Sequence, residues 1–212
     1  TEIGNTGLAN AIVMPCDIRE TDAFERLSRD LVTAGFYCDV LVNCAGVGLS
    51  GPFAEQDAST LDDLIALNIA ALTRFCRKAL PEMMSRGRGG ILNIASLGGY
   101  APGPYQAAYY ASKAYLLSLS EAVATEVAAD GVKITVVAPG PVETGFHARM
   151  GAETAWYRHI MPSASPDSVA RWALLAYDFN LKVIVPGLFA SICGIAVTMI
   201  SHSKSILPAC RS

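Results

Sequence analysis

The sequence predicts an α/β fold in which a doubly wound parallel sheet carries helices on both faces. Short apolar runs typical of buried strands alternate with amphipathic helical stretches, at intervals of roughly 35–50 residues. Polar or helix-breaking residues follow the strands where each one ends. The 212 residues are 52% hydrophobic and 17% charged, which suits one domain with a sizeable core over residues 1–212.

The elements follow from apolar periodicity and from the glycine and proline positions that interrupt it. We predict strands over residues 11–18, 39–42, 91–95, 133–138 and 182–185. We predict helices over residues 20–34, 59–85, 109–128 and 165–176. The loop at 97–108 is rich in Gly and Pro, and the mixed segment 143–165 is typical of a mobile lid.

Composition excludes several classes of function. The net charge is −3 and there is no basic block, so we expect no nucleic-acid partner. None of the six cysteines is spaced as CxxC and the three histidines are scattered, so we expect reduced thiols and no metal site. This cysteine usage favours a cytoplasmic protein.

A Tyr–Lys pair opens the predicted helix at 109–128. Tyr109 and Lys113 lie four residues apart, which places both on one face of a helix. A nearby ammonium favours phenolate and lowers a tyrosine pKa from its ordinary value near 10, making the hydroxyl a usable proton donor or acceptor. Taken alone, the same spacing also fits a solvated pair on a helix surface.

Further polar residues converge on one edge of the predicted sheet. Asp17, Asn43, Ser96 and the Pro139-Gly140 pair all fall at carboxyl ends of strands, where parallel sheets gather their chemistry. Asn68 lies within the apolar stripe of the helix at 59–85. It is either a core amide that fixes nearby backbone or a side chain facing a wet cleft.

Together these motifs resemble the short-chain dehydrogenase/reductase family over about residues 10–147. The spacings between Asn68, Ser96, Tyr109 and Lys113, of 28, 13 and 4 residues, are also similar to that family. The matching segments are Asn43-Cys44-Ala45-Gly46, Asn68, Ser96, Tyr109-x-x-x-Lys113 and Pro139-Gly140-Pro141-Val142-Glu143-Thr144. The resemblance implies a Rossmann-like fold.

The resemblance also implies an NADP- or NAD-dependent oxidoreductase that interconverts a secondary alcohol and a ketone. Tyr109 would be the acid/base, Lys113 would lower its pKa and bind the nicotinamide ribose, and Ser96 would hold the substrate oxygen. Asn68 would hold a water linking Lys113 to solvent. The apolar loops weakly favour a lipophilic substrate, whose identity we leave open.

The cofactor contacts implied by the family extend along the same edge. Asp17 and Ile18 would lie on the adenine side, and Val142 would face the carboxamide. The full implied set is Asp17, Ile18, Asn43, Ala45, Gly46, Tyr109, Lys113, Pro139, Gly140, Val142 and Thr144. Cys44 stands where the family more often has a second Asn.

The family's first βαβ unit has no counterpart here. Its Thr-Gly-x-x-x-Gly-x-Gly turn receives the pyrophosphate, and a residue after its second strand separates NAD from NADP; neither is found in this sequence. We expect a chain truncated by about 50 residues, with a gap between the strands at 11–16 and 39–43. The alternative function is a catalytically silent fragment that serves as a binding or oligomerisation module.

The remaining expectations concern partners. The apolar tail at 183–205 has nearly the length of a membrane span, but Pro186-Gly187 splits it. We therefore expect it to pack on the body or on a subunit, or else to contact a membrane surface. The helices at 59–85 and 109–128 are expected to form a homodimer or homotetramer interface, as in similar family members.

A serine hydrolase using Ser96 is excluded, since no Gly-x-Ser-x-Gly elbow and no plausible histidine partner exist.

Overall fold

A computed structural model describes residues 11–151 and 162–187 and shows one parallel sheet with helices on both faces. The four strands follow one another across the sheet in chain order, β1-β2-β3-β4. They are β1 (Val40–Asn43), β2 (Gly90–Ile94), β3 (Lys133–Val137) and β4 (Val183–Ile184). All three pairings are parallel, so the carboxyl ends of the strands share one edge. The predicted fold class is therefore confirmed.

Six α-helices lie in the described ranges, with a π-helical segment between the second and third. They are α1 (Ala23–Thr33), α2 (Ala58–Ile65), α3 (Leu72–Arg86), α4 (Ala107–Glu126), α5 (Phe146–Arg149) and α6 (Pro166–Asp178). The π segment spans Ala66–Ala71, and short 3₁₀ turns cover Phe53–Glu55, Leu97–Tyr100 and Ala128–Asp130. The predicted helix at 59–85 is thus interrupted in its middle, at the position of Asn68.

The core lies on both faces of the two central strands. Ile91 and Ile134 pack with α3, where Met83 is fully buried, and with the end of α4. The opposite face packs on α6 through Leu92 and Val137. Alternate residues of a strand point to opposite faces, so strands buried on both faces are apolar along their whole length. This explains why β2 and β3, which are mostly apolar, could be predicted from the sequence.

The predicted strand at 11–18 is wrong. The structure has no strand among residues 11–22, and Ile12 and Val13 are 54% and 62% exposed. A strand needs a neighbour for its backbone hydrogen bonds, and in the described residues β1 pairs only with β2. Val40 and Val42 of β1 are 41% and 52% exposed.

The other predicted elements differ mainly at their ends. The final strand is only Val183–Ile184, and the lid segment contains the short helix α5. Residues 152–161 of the lid and the tail from 188 onward lie outside the described residues. Among the helices of the described part, none is both long and apolar enough to cross a membrane.

Candidate functional site

The predicted catalytic side chains are held by elements around the carboxyl end of β2. Ser96 lies two residues after β2, and Tyr109 and Lys113 lie in the first two turns of α4. Leu97 N donates to Pro139 O at 2.8 Å, which joins the segment after β2 to the segment after β3. Asn68 lies in the π segment, a form of helix that occurs frequently at functional sites.

Lys113 is a buried cation beside the tyrosine ring. Its side chain is 7% exposed, its Nζ donates to Ile94 O at 3.0 Å, and Nζ lies 5.7 Å from the centroid of the Tyr109 ring. Burial lowers the pKa of Lys113 from 10.5 to about 8, because removing an ammonium from water disfavours its charge. The group is thus charged at neutral pH but close to its midpoint.

Two aromatic rings flank Tyr109. The Tyr110 ring meets it edge to face at a centroid distance of 6.0 Å, and the Phe146 ring from α5 lies 5.5 Å away at a tilt of 46°. Tyr110 in turn packs closely on the backbone of Gly98 and Gly103, and an added Cβ at Gly103 would overlap its ring. The phenol at 109 is therefore set between the loop after Ser96 and the lid segment.

The Asn68 side chain is a core amide that fixes backbone, the first of the two alternatives. It is 1% exposed, its Oδ1 accepts from Val47 N at 2.9 Å, and its Nδ2 donates to Val47 O at 2.8 Å. Nδ2 also donates to Ser112 Oγ at 3.2 Å. These bonds use both amide hydrogens, while Oδ1 keeps a second lone pair that can accept from a water, so the water role of Asn68 stays a prediction.

Ser96 begins a tight turn. Its Oγ accepts from Gly98 N at 3.1 Å, and the side chain is half-buried. A hydroxyl that accepts one bond still has its own proton to donate. Ser96 can therefore donate to a substrate oxygen while the turn holds its position.

Gly46 marks a place where backbone approaches the site closely. A Cβ at this residue would lie 3.3 Å from Asn68 Oδ1 and 3.6 Å from Lys113 Nζ. The preceding Ala45 is exposed, and Asn43 is buried. The turn after β1 thus brings its backbone against the buried ammonium without a side chain between them.

The Asn43 side chain belongs to a buried network instead of an open surface. Its Nδ2 donates to Asn93 Oδ1 at 2.8 Å and to Cys76 Sγ at 3.3 Å. Asn93 Nδ2 donates onward to Ser120 Oγ at 2.9 Å. This network ties β1 and β2 to α3 and α4, so Asn43 can face a cofactor only through its backbone.

The remaining predicted contacts are Asp17, Ile18 and four residues after β3. The carboxylate of Asp17 is held by Arg19, with Nη2 at 2.8 Å, and this hydrogen bonding lowers the pKa of Asp17 to about 2; Ile18 beside it is half-buried. The predicted nicotinamide frame is Pro139, Gly140, Val142 and Thr144, of which Pro139 is buried. Val142 forms a parallel bridge with Ala164, and Thr144 Oγ1 accepts from Phe146 N at 3.3 Å.

Sequence reasoning missed Ser112, Tyr110 and Phe146. Ser112 is fully buried and donates from Oγ to Tyr109 O at 2.7 Å. Its partner Asn68 lies 44 residues away, so no local pattern indicates the contact. The unusual second tyrosine after Tyr109 was the available signal for the aromatic packing.

Comparison with known proteins gives a consistent result. The family model for short chain dehydrogenases matches residues 1–155. Ketoacyl reductase HetN of Nostoc sp. is 38% identical over 137 residues, covering 64% of this chain and 48% of the relative. The 3-ketodihydrosphingosine reductase of Bacteroides thetaiotaomicron is 32% identical over 142 residues, covering 67% of this chain and 52% of the relative.

A solved structure agrees with the fold. The short-chain dehydrogenase from Sphingobium yanoikuyae, determined in complex with NADPH, superposes with a TM-score of 0.75 at 26% identity and covers 93% of this chain and 76% of that one. The present chain spans about half the length of the two reductases that it matches. Because the family model matches well over half of the residues, the chain belongs to the short-chain dehydrogenase family.

Proposed function

We propose that the protein interconverts a secondary alcohol and a ketone with NADP or NAD, using Tyr109 as acid/base. The observation on which this rests is the buried Lys113 ammonium, 5.7 Å from the centroid of the Tyr109 ring, at the carboxyl end of the sheet. A neighbouring cation favours the phenolate form of a tyrosine, so the hydroxyl can exchange a proton near neutral pH.

The residues present fit a nicotinamide cofactor. An ammonium has three N–H donors, and among the described residues Lys113 uses one, to Ile94 O. The backbone at Gly46 approaches Lys113 closely, which leaves a cradle that a Cβ would fill. Lys113 would bind ribose hydroxyls, with Pro139, Gly140, Val142 and Thr144 beside the ring. The bound cofactor would supply or accept the hydride. The NADPH complex of the Sphingobium relative supports this cofactor class.

Each side chain then has a defined task in ketone reduction. Tyr109 donates its phenolic proton to the oxygen that becomes a hydroxyl. Ser96 donates a hydrogen bond to the same oxygen, where a fixed donor stabilises the developing negative charge. Lys113 stabilises the phenolate that remains. In alcohol oxidation the proton moves the other way, from the alcohol to Tyr109.

A lipophilic ketone is the substrate class that we favour. Phe146 and Tyr110 set aromatic surface on either side of Tyr109, and apolar groups next to the reacting carbon would bury against such surface. The Nostoc and Bacteroides relatives both have names that denote reduction of a keto compound.

We also propose that α2, α3 and α4 form the subunit interface of a homodimer or homotetramer.

A second candidate is a silent module that binds another chain. It is favoured by β1, which pairs only with β2 among the described residues and whose Val40 and Val42 are exposed. Unpaired strand edges pair readily with other chains. Such a module would not require the Tyr109–Lys113 arrangement.

Paired tyrosine variants test the proposal. Tyr109→Phe should reduce turnover of a ketone by at least about 10²-fold, as expected for loss of a general acid, while cofactor titration by fluorescence stays within about threefold. Tyr115→Phe is the control, because it removes a hydroxyl from the same helix at a surface bond to Thr73. If Tyr109→Phe keeps most of its activity, Tyr109 is not the acid/base. If the wild-type chain binds no cofactor, the silent module is favoured.

A further inference from the structure

Ser112 links two of the predicted catalytic residues. Its Oγ donates to the backbone oxygen of Tyr109 at 2.7 Å and accepts from Asn68 Nδ2 at 3.2 Å. Ser112 and Asn68 are 0% and 1% exposed, so water cannot replace either bond. A buried amide and a buried hydroxyl are thus joined to the first turn of α4.

The donors and acceptors of this network fix its direction. Asn68 Oδ1 accepts from Val47 N, and its two N–H hydrogens go to Val47 O and Ser112 Oγ. The one hydroxyl hydrogen of Ser112 goes to Tyr109 O. Every hydrogen in the set has an acceptor, and flipping the amide would place its NH₂ group against Val47 N–H. The Val47 loop, the π segment and the start of α4 therefore hold one another in a single arrangement.

We propose that Ser112 is a positioning residue that holds Tyr109 and Lys113 in place relative to the loop after β1. The inference rests on the proposed function. Ser112 touches the backbone of Tyr109, while the Gly46 backbone approaches Asn68 and Lys113 from the other side. A shift of about 1 Å in a reacting group can cost about 10²-fold in rate. Loss of the Ser112 hydroxyl should therefore affect kcat more than KM.

The same helix provides a closely matched control in Ser120. This residue is 2% exposed, its Oγ donates to Leu116 O at 2.6 Å, and it accepts from a buried amide, Asn93 Nδ2, at 2.9 Å. The two serines thus have the same chemistry and similar burial. They differ in that only Ser112 bonds to a predicted acid/base.

The experiment compares Ser112→Ala with Ser120→Ala in the full chain. Both should lower the unfolding midpoint by similar amounts, since each leaves one buried amide hydrogen without an acceptor. Only Ser112→Ala should lower kcat for ketone reduction, by at least about tenfold, with KM for ketone changing less than about threefold. Should Ser112→Ala fail to fold, Ser112→Cys replaces it, because a thiol of similar shape is a weaker donor. Equal kcat values for the variants at 112 and 120 would overturn the proposal.

A second readout does not depend on turnover. Amide hydrogen exchange at Val47, whose N–H donates to Asn68, should speed up at least about fivefold in Ser112→Ala relative to Ser120→Ala. Unchanged exchange at Val47 in the variant at 112 would refute the coupling. An inactive wild-type chain with the expected exchange pattern would instead refute the proposed function and leave the network intact.

Discussion

Replacing Lys113 by Met should make the protein more stable at neutral pH while removing its proposed activity. Met keeps the length and the apolar stem of the side chain but lacks the buried ammonium. The pKa of Lys113 falls from its ordinary value of 10.5 to about 8 in the folded protein. Because the folded value is the lower one, folding disfavours the charged form, and this destabilisation is complete below pH 8.

The magnitude follows from the pKa difference. At about 1.4 kcal/mol per pKa unit, the charged Lys113 costs about 3 kcal/mol of folding free energy at pH 7. Met also loses the hydrogen bond to Ile94 O, which contributes about 1 kcal/mol. The net gain is about 2 kcal/mol, or roughly 4–8 °C in Tm for a chain of this size. The gain should shrink as the pH rises from 8 to 10.5, since the folded wild-type protein then holds a neutral lysine and the cost of burying the charge disappears by pH 10.5.

Urea unfolding at several pH values measures this difference. The control is Lys133→Met, because Lys133 is only half-buried and its Nζ also donates to a backbone carbonyl, Asp178 O at 3.1 Å. Lys133→Met should not stabilise the protein at pH 7. The reasoning is refuted if Lys113→Met is less stable than the wild type at pH 7, or if its advantage does not depend on pH between 8 and 10.5.

Two other substitutions test the packing around the site. Gly103→Ala should destabilise the protein by about 1–3 kcal/mol, because the new Cβ overlaps the Tyr110 ring; thermal unfolding that matches the wild type would contradict this contact. Asn93→Ala should cost about 2–4 kcal/mol in urea unfolding, because Asn43 and Ser120 both lose a buried partner; a cost below about 1 kcal/mol would mean that the network contributes little.

The fold was predictable where the signal is local. The runs 91–95 and 133–138 are mostly apolar because β2 and β3 are buried on both faces, and the Tyr–Lys spacing fixes a helix face at any position. The run at 11–18 looks equally strand-like, yet it forms no strand, because strand formation depends on a neighbour that the run itself does not specify.

The sequence predicts the members of the candidate site but not the hydrogen bonds between them. Family motifs pointed to Asn68, Ser96, Tyr109 and Lys113, and the structure places them around the end of β2. The expected water at Asn68 and the role of Ser112 could not be judged from sequence, because the amide is satisfied by Val47 and by a serine 44 residues away. Hydrogen-bond partners of buried amides depend on tertiary contacts, which apolar periodicity does not record.

The central claim is that Ser96 and Tyr109 act on one substrate oxygen while Lys113 stabilises the Tyr109 phenolate. The most direct measurement is a crystal structure with cofactor and a carbonyl-containing inhibitor bound. We predict that the carbonyl oxygen lies within hydrogen-bond distance, about 2.6–3.2 Å, of both Ser96 Oγ and Tyr109 Oη, with Lys113 Nζ on the ribose. A bound carbonyl that contacts neither hydroxyl, beside a well-ordered cofactor, would contradict the claim.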